Sequence, residues 1–240
     1  MSERILLPRL GDSPGAPFPP TSQALETPNG LLAGGGDLSP QRILNAYRQG
    51  IFPWYSDDSP ILWWSPAPRC VIRPAQVHLS RRTRRRYNTG KYGLTLNTAF
   101  NDVIHSCAAP RQGEHGTWLT FGMQQAYEEL HRLGHAHSLE VWLDDELAGG
   151  IYGLSIGAVF FGESMFSKRT DGSKIALVAL CKLLCLSGVQ LLDCQVGNPH
   201  LFSMGAEELS RETFEKLLYG LVNEPPRFTF TEEPPFEPRW

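Results

Sequence analysis

No apolar run in the 240 residues approaches the ~18 needed to cross a bilayer. The first residues, Met1-Ser-Glu-Arg4, lack the basic-then-apolar order of a secretory leader. A cytoplasmic protein without membrane attachment is the expectation. Cysteine is scarce and odd in number: Cys70, Cys107, Cys181, Cys185 and Cys194, mostly in apolar surroundings. That excludes a disulfide framework and fits reduced core residues. No metal is expected either. Cys181 and Cys185 share a helix face without further ligands at metal spacing. His131 and His135 lack the Glu of a zinc helix and are separated by the helix-breaking Gly134. Charge is not in excess: 20% of residues are charged, an ordinary share for a soluble globular protein, with a net −3 that by itself says nothing about a nucleic-acid partner. Internal repeats, low-complexity segments and a long amphipathic seam are absent, so a monomer is expected.

What is present is a sizeable core: 41% of residues are hydrophobic, enough for one large domain or one plus a smaller partner. Two segments stand out, Ala158-Val-Phe-Phe-Gly-Glu-Ser-Met-Phe-Ser167 and Val189-Gln-Leu-Leu-Asp-Cys-Gln-Val196. Each reads as a buried strand with polar residues set into it. Alternation puts Leu191, Asp193 and Gln195 on one face, and Leu192, Cys194 and Val196 on the other. The same rule puts Glu163 and Met165 on one face. Polar groups in such strands need a hydrogen-bond partner or a task. Between the segments, Ser173 can cap an apolar helix that Gly188 ends. A right-handed crossover then makes the two strands parallel neighbours. Upstream, residues 138–156 read as an antiparallel meander. Meander, helix and further strand together resemble the layout of a GNAT-type acyltransferase.

The stretch 1–36 is Pro- and Gly-rich and reads as loops. Asp37 or Ser39 caps a helix from Pro40 that stops at Gly50. Then come Ile51-Phe-Pro-Trp-Tyr-Ser56 and Ile61-Leu-Trp-Trp-Ser-Pro66. Most of these rings suit a core, while one of Trp54, Tyr55, Trp63 and Trp64 could stack a base. In Ser80 to Arg86 five arginines occupy six positions: Arg81, Arg82, Arg84, Arg85 and Arg86. As a helix this run faces water on most sides. It is either an ordinary solvated face or a phosphate-binding patch. Further on, a strand is expected at Leu94–Leu96, a helix at Ala99–Cys107 with Asn97 as its cap, and a helix at Phe121–Leu133 capped by Thr120. After Val196, Gly197-Asn-Pro-His200 opens a short helix, and Ser210 or Thr213 caps the last.

Pro28-Asn-Gly-Leu-Leu-Ala-Gly-Gly-Gly-Asp37, Ile51-Phe-Pro-Trp-Tyr55, Ile61-Leu-Trp-Trp-Ser-Pro66, Gly116-Thr-Trp118, Leu133-Gly-His-Ala-His-Ser138, Phe161-Gly-Glu-Ser-Met-Phe-Ser167 and Leu192-Asp-Cys-Gln-Val196 follow one another in unbroken order. Together they resemble the bacterial leucyl/phenylalanyl-tRNA–protein transferases. The resemblance implies an α+β fold, a small N-terminal domain (1–70) followed by a GNAT-like transferase domain (71–240) with a Pro-rich tail. It implies transfer of Leu, Phe and less often Met from aminoacyl-tRNA to the N-terminal Arg or Lys of proteins, marking them for N-end-rule degradation. It implies no metal and no coenzyme. Residue by residue, it assigns catalysis to Asp193 and Gln195, acceptor binding to Glu163, and the aminoacyl-tRNA 3′ end to Tyr47, Trp54, Trp118 and Tyr127. By position, Ile151, Phe160, Met165, Leu177, Leu180 and Leu192 match the side-chain pocket. Strict alternation sets Phe160 opposite Met165, and a bulge at Gly162 reconciles the two.

The chemistry agrees. An aminoacyl ester is already activated, so no nucleophilic Ser or Cys is required. Positioning, an uncharged attacking amine and relief of the developing oxyanion are. An α-amino group titrates near ~8, and Asp193 can take or order its proton while Gln195 holds the amine or the carbonyl oxygen. The alternative, a coenzyme-A-dependent acetyltransferase, is disfavoured because Ser167-Lys-Arg-Thr-Asp-Gly-Ser173 lacks a Gly-x-Gly phosphate nest. A non-catalytic tRNA- or peptide-binding module is the third reading, and in it Asp193 and Gln195 are structural.

Overall fold

Seven strands in one sheet carry most of the architecture. The structure, a computed structural model, describes residues 7–89, 91–109 and 119–225. The N-terminal part holds β1 (Arg9–Leu10), β2 (Leu31–Gly35), α1 (Pro40–Arg48), β3 (Phe52–Pro53) and β4 (Leu62–Trp64). Its sheet has the order β1-β2-β4-β3. Ser39 is the cap of α1, its hydroxyl accepting from the Arg42 amide, and Gly50 (φ 72°) turns the chain out of the helix. Strand β2 lies where loops were expected. Its Gly-rich run does not alternate, and it is held by pairing with β4.

Next come β5 (Arg69–Ile72), α2 (Arg81–Tyr87), β6 (Tyr92–Leu96), α3 (Phe100–Ala108) and α4 (Phe121–Arg132). The meander follows as β7 (Ala136–Leu143), β8 (Glu146–Ile156) and β9 (Val159–Ser167). The crossover helix α5 (Gly172–Leu186) leads to β10 (Leu191–Gln195), and α6 (Pro199–Ser203), β11 (Glu207–Leu209) and α7 (Arg211–Val222) complete the described chain. The large sheet has the order β11-β5-β10-β9-β8-β7-β6. Within it β9 and β10 run parallel, joined by α5, and the remaining neighbours are antiparallel.

Alternation along these strands feeds two apolar layers. Val71, Tyr152, Phe161 and Leu191 join α1, α3, α4, α7 and the small sheet on one face. Cys70, Ile72, Ile151, Phe160 and Leu192 join α5 on the other. The small sheet therefore packs into the same core as the large one.

Two caps differ from expectation. Asn97 takes a left-handed conformation (φ 59°) and accepts from the Ser138 amide through its side chain, so α3 begins at Phe100 without a side-chain cap. Helix α5 starts one residue before Ser173, whose amide donates to the Ser167 hydroxyl. Thr120 and Ser210 cap α4 and α7 as expected, and Asn198 caps α6.

Candidate active site

The site forms where β9 and β10 lie side by side. Along β8 and β9, Gly153 pairs with Gly162 but Tyr152 pairs with Ser164, so Glu163 is the extra residue of a bulge. Glycine is required opposite it, since a Cβ on Gly153 would lie 2.0 Å from the Phe161 carbonyl oxygen. The bulge changes the expected facing. Glu163 turns towards the layer of Phe161 and accepts a hydrogen bond from Tyr127 (2.8 Å), while Met165 packs against the layer of Phe160. Phe160 and Met165 thus share a layer, and the bulge that allows this falls at Glu163, one residue past the expected Gly162.

Behind Glu163 stand Tyr47 and Tyr127, both fully buried, with their hydroxyls 2.6 Å apart. Since Tyr127 donates to Glu163, Tyr47 donates to Tyr127. Both phenols are held protonated well above the usual range by burial and by the Glu163 charge. Burial raises the Glu163 carboxyl to about 7, and the Asp193 charge adds to that, while the two tyrosines and Arg69 act in the opposite direction. A half-buried carboxylate poised near neutrality suits proton transfer.

On β10, Asp193 is fully buried beside β5. Arg69 closes on it with two parallel hydrogen bonds, Nε to Oδ1 (2.8 Å) and Nη2 to Oδ2 (2.7 Å). The third arm of the guanidinium donates to the Gly50 carbonyl at 3.1 Å. The rings of Phe52 and Phe214 lie 4.9 and 4.7 Å from its central carbon. Asp193 Oδ1 also accepts from the backbone amide of Gln195 at 3.0 Å. Gln195 stands at φ 57°, where the β5–β10 register slips. Its side-chain amide then reaches Glu163 Oε1 at 3.4 Å. Asp193, Gln195 and Glu163 are therefore one connected group.

Two cavities meet over this group. The first, of about 170 Å³, is lined by Phe52, Pro53 and Trp54. The second, of about 180 Å³, is lined by Ile151, Met165, Leu177, Leu192 and Leu201 among others. Glu163, Cys194, Gln195 and Val196 border both. Four of the six expected pocket residues thus line the second cavity. Phe160 and Leu180 are fully buried in the layer behind it. Trp54, 42% exposed, leans on Trp64, whose indole N–H donates to the Trp54 carbonyl, whereas Trp63 is a core residue. Tyr47 and Tyr127 line neither cavity and are linked to them through Glu163. Trp118 lies outside the described residues.

The arginine run forms α2, with Thr83 and Tyr87 buried and Arg81, Arg82, Arg84 and Arg85 exposed. Arg86 is engaged, donating to Asp171 at 2.6 Å. Among the described residues no group of His, Cys, Asp and Glu could hold a metal ion, and no helix is long and apolar enough to cross a membrane. The site residue missed at the sequence level is Arg69. Its signal was an arginine opening a short β-branched run, Arg69-Cys-Val-Ile72, after two prolines.

Meander, crossover helix and parallel strand pair give the chain a GNAT-like α+β layout, with a polar cluster between two cavities. Residues 71–219 match the family described as leucyl/phenylalanyl-tRNA protein transferase, and residues 36–67 match the N-terminal domain of the same family. The leucyl/phenylalanyl-tRNA–protein transferase of Xanthomonas axonopodis pv. citri is 58% identical over 210 residues, covering 87% of this chain and 84% of the relative. That of Chromobacterium violaceum is 51% identical over 220 residues, covering 92% and 94%. Among solved structures, a GCN5-related N-acetyltransferase from Kribbella flavida is similar at 9% identity and a TM-score of 0.37, over 71% of this chain and 61% of that one. The chain belongs to the leucyl/phenylalanyl-tRNA–protein transferase family and is an aminoacyltransferase.

Proposed function

We propose that this protein moves Leu, Phe and less often Met from aminoacyl-tRNA to the N-terminal Arg or Lys of acceptor proteins, marking them for N-end-rule degradation. The observation that carries this is the pair of cavities sharing Glu163 and Gln195. The second cavity, whose wall includes Ile151, Met165, Leu177, Leu192 and Leu201, takes the aminoacyl side chain. A methylene there discriminates by only ~1–3 kcal/mol, which lets Leu, Phe and Met share it, and the flexible Met165 adapts to each. The first cavity takes the terminal nucleotide, with Trp54 as stacking face and Trp118 as the second expected contact. The ester carbonyl then lies at the junction.

There the acceptor's neutral α-amine attacks the ester carbonyl, and the new amide forms as the acyl C–O bond to the tRNA ribose breaks. The proton that Glu163 takes from the amine passes to the leaving ribose oxygen, and the Glu163 carboxylate also draws in the cationic N-terminal side chain. Tyr127 and Tyr47 hold Glu163 in place. Gln195 orients the amine or the carbonyl oxygen. Asp193, whose oxygens are occupied by Arg69 and the Gln195 amide, orders the proton transfer by fixing Gln195. No coenzyme is needed, because the ester arrives activated. The small sheet, within 1–70, serves as the N-terminal domain, and 71–240 as the transferase domain. The exposed arginines of α2 contact tRNA phosphates. Free cysteines accord with a reducing compartment such as the cytoplasm.

The deciding assay is transfer of labelled Phe from charged tRNA to a peptide with N-terminal Arg, with and without acetyl-coenzyme A. Transfer independent of acetyl-coenzyme A is expected. Acetylation of the peptide in place of Phe transfer overturns the reading.

A further inference from the structure

We propose that Cys70 and Cys194 form an oxidisable dithiol in the wall of the candidate active site, which a peroxide closes to a cross-strand disulfide that suppresses transfer. The suppression rests on the transferase reading above, and the cross-link does not.

Neither thiol has a part in the mechanism. Cys70 on β5 pairs with Gln195 on β10, and the register slips between Asp193 and Gln195, leaving Cys194 as the extra residue beside Cys70. Both belong to the α5 side of the sheet, Cys70 within that layer and Cys194 packed against it. The nearness of the two thiols holds Cys70 below the ordinary thiol range and Cys194 well above it, and the Cys194 thiol also donates to the Leu192 carbonyl of its own strand. Neighbouring residues on antiparallel strands stand ~4.5–5.5 Å apart at Cβ, against ~3.5–4.5 Å in a disulfide, so a small approach of the strands suffices.

Access is through the cavities, since Cys194 borders both. A thiolate of the pair attacks one peroxide oxygen, the O–O bond breaks and one water leaves, giving a sulfenic acid. The second sulfur displaces the hydroxyl from the first, its proton leaves with that hydroxyl as a second water, and the S–S bond forms. Two thiols lose two electrons and two protons, and the peroxide is reduced to two waters.

Cys194 stands between Asp193 and Gln195. Drawing its sulfur to ~2 Å from that of Cys70 displaces the turn that aims Gln195 at Glu163. A misplacement of ~1 Å in such a site can cost ~10²-fold in rate.

The test treats the reduced full chain with hydrogen peroxide, alkylates the remaining thiols, maps the peptides by mass and measures Phe transfer. A peptide pair joined through Cys70 and Cys194 is expected, with two of the five thiols lost to alkylation. Transfer should fall at least ~10-fold, and dithiothreitol should reverse both changes. Cys70→Ala, which touches neither cavity, should keep its basal transfer and lose the reversible inactivation. The proposal is overturned if wild type forms no such cross-link, if the cross-linked protein transfers at the reduced rate, or if Cys70→Ala is reversibly inactivated like wild type. Should the reduced protein show no transfer, the transferase reading fails, and the peptide map still decides whether the dithiol forms.

Discussion

Arg69 and Asp193, far apart in sequence, meet in a two-pronged ion pair from which water is excluded: both side chains are buried and the bonds are 2.7 and 2.8 Å long. A pair of this kind is costly to break from one side and cheap to replace as a whole. Asp193→Asn or Arg69→Met alone should destabilise the fold by ~3–5 kcal/mol. The double variant Arg69→Met/Asp193→Leu should regain most of that in denaturant unfolding while remaining inactive. Recovery of transfer in the double variant would make the pair purely structural.

Glu163 gives stability a pH dependence of definite sign. Its folded pKa is raised from 4.5 to about 7, so its contribution is complete below 4.5 and is lost as pH rises through about 7. Glu163→Gln, which cannot ionise, should therefore gain in Tm relative to wild type between about pH 5 and about pH 8. A constant difference across that window would place the titration elsewhere.

The same carboxyl sets the acid limb of the rate profile if it takes the amine proton. Tyr127→Phe removes a hydrogen bond that lowers the Glu163 pKa, so the limb should move to higher pH. Glu163→Gln should raise KM for the peptide far more than for the tRNA. An unmoved limb in Tyr127→Phe would exclude Glu163 as the base.

Met165→Ala should enlarge the second cavity and lower kcat/KM for Leu and Phe donors by unequal factors within ~10–200-fold. Phe160→Ala, one layer deeper, should act first on stability, by ~3–5 kcal/mol in unfolding. Equal loss of both donors in Met165→Ala would move the side-chain pocket elsewhere.

Replacing Arg81, Arg82 and Arg85 by Glu should raise KM for charged tRNA and flatten its salt dependence, because fewer counterions are released. Arg86→Ala should act differently. It breaks the ion pair with Asp171 beside α5, and should show more in Tm than in the salt slope.

The sequence alone determined the frame. Capping residues marked α1, α4 and α7, and an apolar run marked α5. The two apolar segments with their inset carboxylates, Glu163 and Asp193, and the amide of Gln195 marked β9 and β10 as the seat of the chemistry. These are local signals, set by side-chain period and backbone capping within a few residues. Tertiary structure decided which carboxylate meets the cavities. Alternation aimed both Asp193 and Glu163 from their strands, but β5 pairs with β10 and brings Arg69 onto Asp193, a contact between residues 124 positions apart. Likewise the bulge at Glu163 exists only as a mismatch between β8 and β9, and it alone turns Glu163 to the tyrosines while Met165 faces the apolar pocket. Register and long-range pairing are properties of two strands together, so neither strand's residues carry them alone.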